Sequence, residues 1–517
     1  MSLKNKFISG FSWQALNVLT QVILQLIFIA LLARLISPEA FGVMAIALVV
    51  VGFIEIFSQI GIGPALIQRK DLDDEHISAA FYISISLGIS FTLLLYFLAP
   101  WIAQLYDHPP LINVLRVIGL SFLISSIAIV PKSLIIKEMA FKKLFIAAFF
   151  AMMIGNIFIG LGLAFMGFDL WSYVYALLAQ NVIMTIAYWA FHPIKLKASF
   201  SRAHAFQMIA YGGGSTLFNV FNYAATKIDT LIVGMNKVDA PVDLGAEQVT
   251  DNTARWENTG LYDRSVYLMS LPITVLGKLS DSVMFSGLSM LQDDRVRLHR
   301  AVLSAIYHIA LLVIPGSVLL IFFTREFVVL FLGEQYEAAV PIVKILFISV
   351  AFRSLIKIGD SIVRALKTRY LYIASGIKAL FFVFVALGTY FGLKFGLQGV
   401  AWGLVIAVFI QFIMMGKFSL GILELHPSRA IKKLVPGIIT ALLLALFSWG
   451  ILAFLDATIK DLLLVRIIIA LVLNALLLFL CAWFFPFFFR QGKDNVLQSI
   501  AQKIPIAALK KRWVKNS

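Results

Sequence analysis

Charge is what this chain has least of. Only 14% of its 517 residues are Asp, Glu, Lys or Arg, while 61% are apolar, and the mean hydropathy is +0.93. Water-soluble domains are about a quarter charged and close to half apolar. A soluble chain of this composition could not cover its own surface. Cysteine is also nearly absent: Cys481 stands alone inside an apolar run, which excludes a disulfide framework, a cysteine metal site and a redox pair. No GxxxxGK[ST], HExxH or GxSxG segment occurs, so the chain has no phosphate loop, zincin helix or nucleophile elbow. The seven histidines form no pair with metal-ligand spacing. We expect no cofactor, no metal and no enzymatic reaction.

Long apolar stretches fill the sequence instead. One membrane-spanning helix needs about 20 apolar residues, and such runs occupy 11–33, 42–66, 79–104, 112–133, 144–167, 170–190, 206–234, 260–287, 302–323, 339–365, 370–393, 397–418, 434–455 and 463–489. The runs are continuous and rich in Leu, Ile, Ala and Phe. They lack the alternation of an outer-membrane strand. The expectation is an all-α integral membrane protein of about fourteen transmembrane helices. The first run is too long for a signal-peptide core and ends without a small-residue cleavage pattern, so it reads as the first helix.

The net charge of +16 does not point to nucleic acid, because the basic residues sit in short loops and in the tail. They also alternate. Lys4, Lys6, Arg69, Lys70, Lys132, Lys137, Lys142, Lys143, Lys195, Lys197, Arg202, Arg295, Arg297, Arg300, Arg364, Lys367, Arg369, Arg429, Lys432, Lys433 and the basic tail fall on one side. Arg34, Lys237, Arg255, Arg325, Lys394 and Lys460 fall on the other. The positive-inside rule places the richer side, with both termini, in the cytoplasm. Trp101, Trp171 and Trp189 stand at span ends, where an interfacial belt belongs. The tail from Arg490 carries Leu497, Ile500 and Ile504 at helical spacing and reads equally well as a segment lying on the anionic inner leaflet or as a solvated tail.

Internal similarity divides the chain further. Ile135-Ile136-Lys137 through Leu144-Phe145-Ile146-Ala147 parallels Ile362-Val363-Arg364 through Leu371-Tyr372-Ile373-Ala374, and Phe41-Gly42 parallels Thr259-Gly260. A duplicated six-helix unit follows. An even helix number makes the repeat parallel, as in transporters with alternating access. The expected organisation is an N-terminal lobe (1–204), a C-terminal lobe (205–425), two additional helices (426–490) and a basic cytoplasmic tail (491–517).

Polar residues inside the spans nominate a site. Gln14, Asn17, Gln21 and Gln25 share one face of the first helix, and Asn219, Asn222, Thr226 and Asp229 share one face of the seventh. They read either as two stripes lining a cavity, suited to sugar hydroxyls, or as interhelical hydrogen-bond glue. Arg353, Lys357, Asp360 and Arg364 recur along the tenth helix, with Lys227, Arg264, Lys278 and Lys378 elsewhere in the second half. A mid-membrane charge costs at least about 2.5–3.5 kcal/mol, so such residues face a cavity or a partner. Local pairing of Lys227 with Asp229, Lys278 with Asp281 and Lys357 with Asp360, or snorkelling from span ends, is the plainer reading. The surplus of cations nevertheless suits a phosphate or pyrophosphate, with Arg264, Lys278, Arg353 and Lys357 as its candidate ligands. Glu55 and Asp229 are candidates for a coupling proton or sodium ion.

Several ordered motifs resemble a known family. They are Gly10-Phe11-Ser12-Trp13, Leu32 through Gly42 (with Ser37-Pro38-Glu39), Gly61-Ile62-Gly63-Pro64, Asp229-Thr230-Leu231-Ile232-Val233-Gly234, Gly260-Leu261-Tyr262, Leu271-Pro272 and Gly333-Glu334-Gln335-Tyr336. Together they resemble polysaccharide transporters, the Wzx-type flippases of the multidrug, oligosaccharidyl-lipid and polysaccharide exporter superfamily, with closest likeness to the colanic-acid-exporter branch. The resemblance implies two six-helix lobes plus two helices in the bacterial inner membrane. It also implies an undecaprenyl-pyrophosphate-linked oligosaccharide as substrate, flipped to the periplasmic leaflet for surface polysaccharide assembly. It supplies no catalytic residues.

The acidic 236–259 segment departs from the family pattern. It reads as a tolerated surface insertion, with glycan gating or contact with a polysaccharide polymerase as alternatives. A multidrug antiporter of the same superfamily would favour an acidic cavity. A glycan polymerase or ligase would place a larger, histidine-bearing loop outside the membrane. Neither fits as well.

Overall fold

A computed structural model of the chain describes residues 3–58, 62–68, 72–194, 196, 213–236, 251–290, 294–365, 368–458, 465–466, 469 and 472–474. Among these the chain is helical nearly throughout and contains no strand. The first half runs α1 (Leu3–Leu35), α2 (Pro38–Ser58), a short α3 (Ile62–Gln68), α4 (Asp74–Leu105), α5 (Pro110–Lys137) and α6 (Phe141–Ala151). A π-helical stretch, Met152–Leu161, joins α6 to α7 (Gly162–Phe165), and α8 (Asp169–Phe191) follows. The second half runs α9 (Gly213–Met235), α10 (Asp251–Met290), α11 (Arg295–Phe322), α12 (Thr324–Leu332), a 3₁₀ turn (Glu334–Ala339), α13 (Val340–Ala365), α14 (Thr368–Gly392), α15 (Gly396–Ile422) and α16 (Pro427–Thr458).

Among the described residues ten stretches are long and apolar enough to cross a membrane, and one of them, Tyr370–Ile422, holds two helices. The protein is therefore a multi-pass membrane protein. The last expected span, 463–489, lies mostly outside the described residues. Three expectations need correction. The second span ends at Ser58, and Ile62–Gln68 forms a separate helix. The fifth span is π-helical in its middle. The eighth helix begins at Asp251 rather than near 260, so residues 251–259 belong to a helix, while 237–250 lie outside the described residues.

Local sequence explains the element boundaries. The turn between α1 and α2 reads Ile36-Ser37-Pro38-Glu39. The Ser37 hydroxyl accepts from the Ala40 amide at 3.2 Å, and proline fits the first helical turn, where no intrahelical acceptor awaits its nitrogen. Asp169 accepts from the Ser37 amide at 2.9 Å, tying this turn to the start of α8. Asp73 caps α4 by accepting from the His76 amide at 2.8 Å. Gly333, at φ +95°, ends α12 in a conformation that side chains disfavour.

The packing of the two halves corresponds pair by pair. In the first half α1 lies on α6, α2 and α4 on α5, α5 on α8, and the π-helical stretch on α8. In the second half α9 lies on α14, α10 and α11 on α13, α13 on α15, and α14 on α15. Each of these contacts has its counterpart six spans later in the other half, so the fold comprises two pseudo-symmetric six-helix lobes. α16 packs outside this pattern, on α11.

The lobes meet chiefly through α2 against α10. The repeated glycines make that approach: a Cβ on Gly42 would collide with the Trp256 carbonyl, and one on Gly260 with the Pro38 carbonyl. Close backbone approach through small residues is how helices associate where lipid removes the hydrophobic drive. Gly42 and Gly260, matched in the repeat, thus face each other near the start of α2.

Candidate functional site

The tenth span sets the site. In α13, Arg353, Lys357 and Asp360 share a face by their helical spacing, and all three line one cavity of about 440 Å³. α9 adds Asn222, Thr226 and Lys227. α10 adds Asp263, Arg264, Tyr267 and Ser270, α14 adds Lys378, and α15 adds Gln411. The first lobe closes one edge with Ala45 and Leu48 of α2 and Tyr173 of α8. The cavity therefore belongs mainly to the second lobe and touches the first.

Five cations and two carboxylates line it. Two of the cations are held. Lys378 donates to Asp360 at 3.1 Å, with side chains only 3% and 6% exposed. Arg264 is paired with the adjacent Asp263. Its guanidinium also lies over the Phe41 ring at 4.4 Å and near that of Tyr267 at 5.1 Å. Phe41 comes from the first lobe, so Arg264 is gripped across the interface.

Donors remain unmet within this cavity. Arg264 Nη1, Arg353 Nε and the Tyr267 hydroxyl are buried without a hydrogen-bond partner. Buried donors left unsatisfied cost about 1–3 kcal/mol each. A cluster of them, contributed by α10 and α13 with surplus positive charge around them, is suited to an anion rich in acceptor oxygens.

The sequence-nominated residues distribute as follows. Arg264, Arg353, Lys357 and Asn222 converge on the cavity. The side chains of Lys278 and Gln14 lie outside the described residues. Asn219 is exposed on α9, one turn before Asn222. Asn17 is buried on α1 and accepts from Gln21 at 2.8 Å, while Gln25 is half-buried; none of these three lines the cationic cavity. Asp229 is buried beside it and accepts from the Tyr262 hydroxyl at 2.9 Å and the Thr230 amide at 2.8 Å. Glu55 lines a separate cavity of about 260 Å³ in the first lobe with Lys132, Asn181, Ser125 and Ser126.

The expected pairing of Lys357 with Asp360 gives way to a bridge from Asp360 to Lys378. Lysine on a neighbouring helix reaches the carboxylate in the direction the cavity wall allows. Asp263 was missed altogether, because adjacent residues on a helix do not ordinarily face each other.

One end of the lobe interface is sealed. Arg34, at the end of α1, donates to the carbonyls of Val329 at 3.0 Å and Leu330 at 2.6 Å, near the end of α12. Gln335 returns the gesture to the Ala33 carbonyl and to that of Ile36 at 3.4 Å. Arg255 donates to the Tyr106 carbonyl, at the end of α4. The Leu330 and Ala33 carbonyls are among those that a helix C-terminus leaves open. The His108 ring packs at a tilt against Trp256, centroids 4.5 Å apart. Burial, then Arg255, pushes the His108 pKa below its usual 6.5.

The family model for polysaccharide biosynthesis proteins matches residues 31–341. The chain belongs to the polysaccharide biosynthesis protein family. It is 24% identical over 460 residues to the teichuronic acid biosynthesis protein TuaB of Bacillus subtilis, covering 88% of this chain and 89% of that one. It is 23% identical over 356 residues to the lipopolysaccharide biosynthesis protein WzxC of Escherichia coli, covering 68% and 69%. Among solved structures, the lipid II flippase MurJ in an inward closed conformation is similar with a TM-score of 0.68 at 15% identity, over 92% of this chain and 99% of that one. An inward-facing multidrug transporter of the MATE family is similar with a TM-score of 0.62 at 15% identity, over 79% and 98%. These likenesses show that the chain shares the fold of both solved structures.

Proposed function

We propose that this protein moves an undecaprenyl-pyrophosphate-linked oligosaccharide from the cytoplasmic to the periplasmic leaflet of a bacterial inner membrane, for surface polysaccharide assembly. The observation that carries this reading is the cationic cavity. Arg353, Lys357 and Lys227 stand there beyond the two pairs that hold Arg264 and Lys378. Pyrophosphate offers the acceptors and the charge that these groups lack. The names of the relatives, in lipopolysaccharide and teichuronic acid biosynthesis, agree with such a cargo.

In this reading lobes 1–204 and 205–425 rock about the Gly42–Gly260 contact, with 426–490 alongside and 491–517 as a cytoplasmic tail. Both termini are cytoplasmic by the lysine and arginine bias. The end sealed by Arg34, Gln335 and Arg255 is then periplasmic, and the molecule is closed toward that side. Asn222, with Asn219 and the Asn17–Gln21–Gln25 stripe, meets glycan hydroxyls as the lobes separate. Glu55 and Asp229 are the candidate carriers of a coupling proton or sodium ion. A polymerase receives the translocated units on the periplasmic side.

A multidrug antiporter shares the fold, but a cavity with surplus positive charge repels cationic drugs. Purified protein in liposomes separates the two. Translocation of a polyprenyl-pyrophosphate oligosaccharide without ethidium or other cation transport is expected. Cation transport without lipid translocation would overturn the proposal.

A further inference from the structure

A second cavity, larger and of opposite character, lies between the lobes. It measures about 700 Å³ and is walled by Phe53 and Phe57 of α2, Leu94 and Leu98 of α4, Phe221 of α9 and Phe382 of α14. α2 and α4 belong to the first lobe, α9 and α14 to the second. Phe53 and Leu94 remain 41% and 45% exposed, so the cleft opens toward the bilayer. Its one phenol, Tyr223, turns its hydroxyl to the Val49 carbonyl at 3.0 Å and leaves an apolar wall.

Lys227 belongs to both spaces. It is the residue common to the apolar cleft and the cationic cavity. On α14, the consecutive residues Phe381 and Phe382 line the cationic cavity and the cleft respectively. An apolar channel thus meets an anion-binding chamber at a lysine. That junction matches a molecule whose long hydrocarbon chain ends in a phosphate.

Another apolar cavity, of about 430 Å³ between α10, α11, α12 and α13, shares no residue with the cationic chamber. Glu326 also lines it and is engaged by Arg466 at 2.9 Å. A carboxylate at its wall is unsuited to a pyrophosphate end.

We propose that the cleft between α2, α4 and α9 holds the polyprenyl chain of the transported lipid, with Lys227 where the chain meets its pyrophosphate. This rests on the transport reading above. The cleft adds alignment more than affinity, because bilayer lipid is as apolar as the cleft wall. Its role is to hold the head at the mouth of the chamber while the lobes move. The isoprenoid thereby stays in contact with both lobes.

Location, not affinity, is therefore the decisive readout. The full chain in lipid nanodiscs is irradiated with a diazirine-bearing polyprenyl pyrophosphate, with and without excess unlabelled lipid, and adducts are mapped by mass spectrometry. The expected result is competed labelling around Phe53–Phe57, Leu94–Leu98 and Phe221. Ala224→Trp, which fills the cleft, should abolish that labelling while inorganic pyrophosphate still binds as in the wild type. Competed adducts confined to 313–331, or labelling in the cleft that excess lipid does not reduce, would overturn the cleft assignment and leave the transport reading standing. Failure of both the lipid and inorganic pyrophosphate to bind anywhere would overturn the transport reading itself.

Discussion

Replacing Lys378 with Met should expose how the cavity's charges are balanced. In the wild type its ammonium lies 3.1 Å from Asp360, and both side chains are almost wholly buried. At an effective dielectric of about 20 the Coulomb attraction is ~5 kcal/mol, much of it offset by the desolvation of two ions. Removing one partner leaves the other buried and uncompensated, at about 3–5 kcal/mol. Lys357 and Arg364 flank Asp360 on its own helix, so the low end, about 3 kcal/mol, applies to Lys378→Met. Asp360→Asn should cost at least as much, because Lys378 then faces those same two cations alone. The double variant should be milder than the sum of the singles by about 2–3 kcal/mol. Unfolding in mixed micelles by titration with sodium dodecyl sulfate measures all three. Strict additivity, or a neutral Lys378→Met, would refute the reasoning. There is a functional corollary: with Lys378 gone, Asp360 turns toward Lys357 and neutralises it, so pyrophosphate binding should weaken as well.

Arg353→Ala with Lys357→Ala should weaken pyrophosphate binding by at least about 100-fold, since each lost charge-assisted contact is worth about 1.5–3 kcal/mol; calorimetry on the purified protein reads this, and a loss under twofold would exclude both residues from the site. Gly260→Val should push α2 from α10 at an overpacking cost of about 1–3 kcal/mol. A cysteine placed at Ala40, in a background with Cys481 replaced by Ser, should then react faster with an impermeant maleimide. His108 is held below its usual pKa by burial and by Arg255, with Asp107 acting in the other direction. The folded state therefore binds that proton less readily than the unfolded state. The contribution is intact above 6.5 and is lost as pH falls from there toward the lowered value. Melting temperature should decline over that range in the wild type and less steeply in His108→Gln.

The bundle was legible because each helix must satisfy its own backbone within lipid, and that demand writes long apolar runs directly into the sequence. The repeat was legible at Gly42 and Gly260 for a similar reason: backbones that touch leave little choice of residue. The tenth helix announced the cavity, since Arg353, Lys357 and Asp360 cannot sit at that spacing in lipid without a polar surface to face. Partner choice was not legible. Asp360 meets Lys378 because of where the neighbouring helix lies, and no pattern along one helix encodes that; Asp263 meets the adjacent Arg264, a spacing that helical periodicity does not flag. Arg255 reads from sequence as a loop residue, because it sits in the acidic 236–259 segment. In the fold it reaches across to the end of α4, where an open carbonyl repays its burial. The stripe on α1 is readable as a face, yet whether Asn17 and Gln21 bond each other or a substrate depends on how far apart the lobes stand.

The central claim is tested most directly by locating the lipid-linked oligosaccharide in cells lacking this protein. Spheroplasts are treated with a membrane-impermeant glycan label, and labelled and unlabelled lipids are identified by mass spectrometry. The account predicts complete units trapped on the cytoplasmic leaflet, released by the wild-type protein and not by the Arg353→Ala, Lys357→Ala variant. Units that reach the periplasmic leaflet equally well without the protein would contradict it.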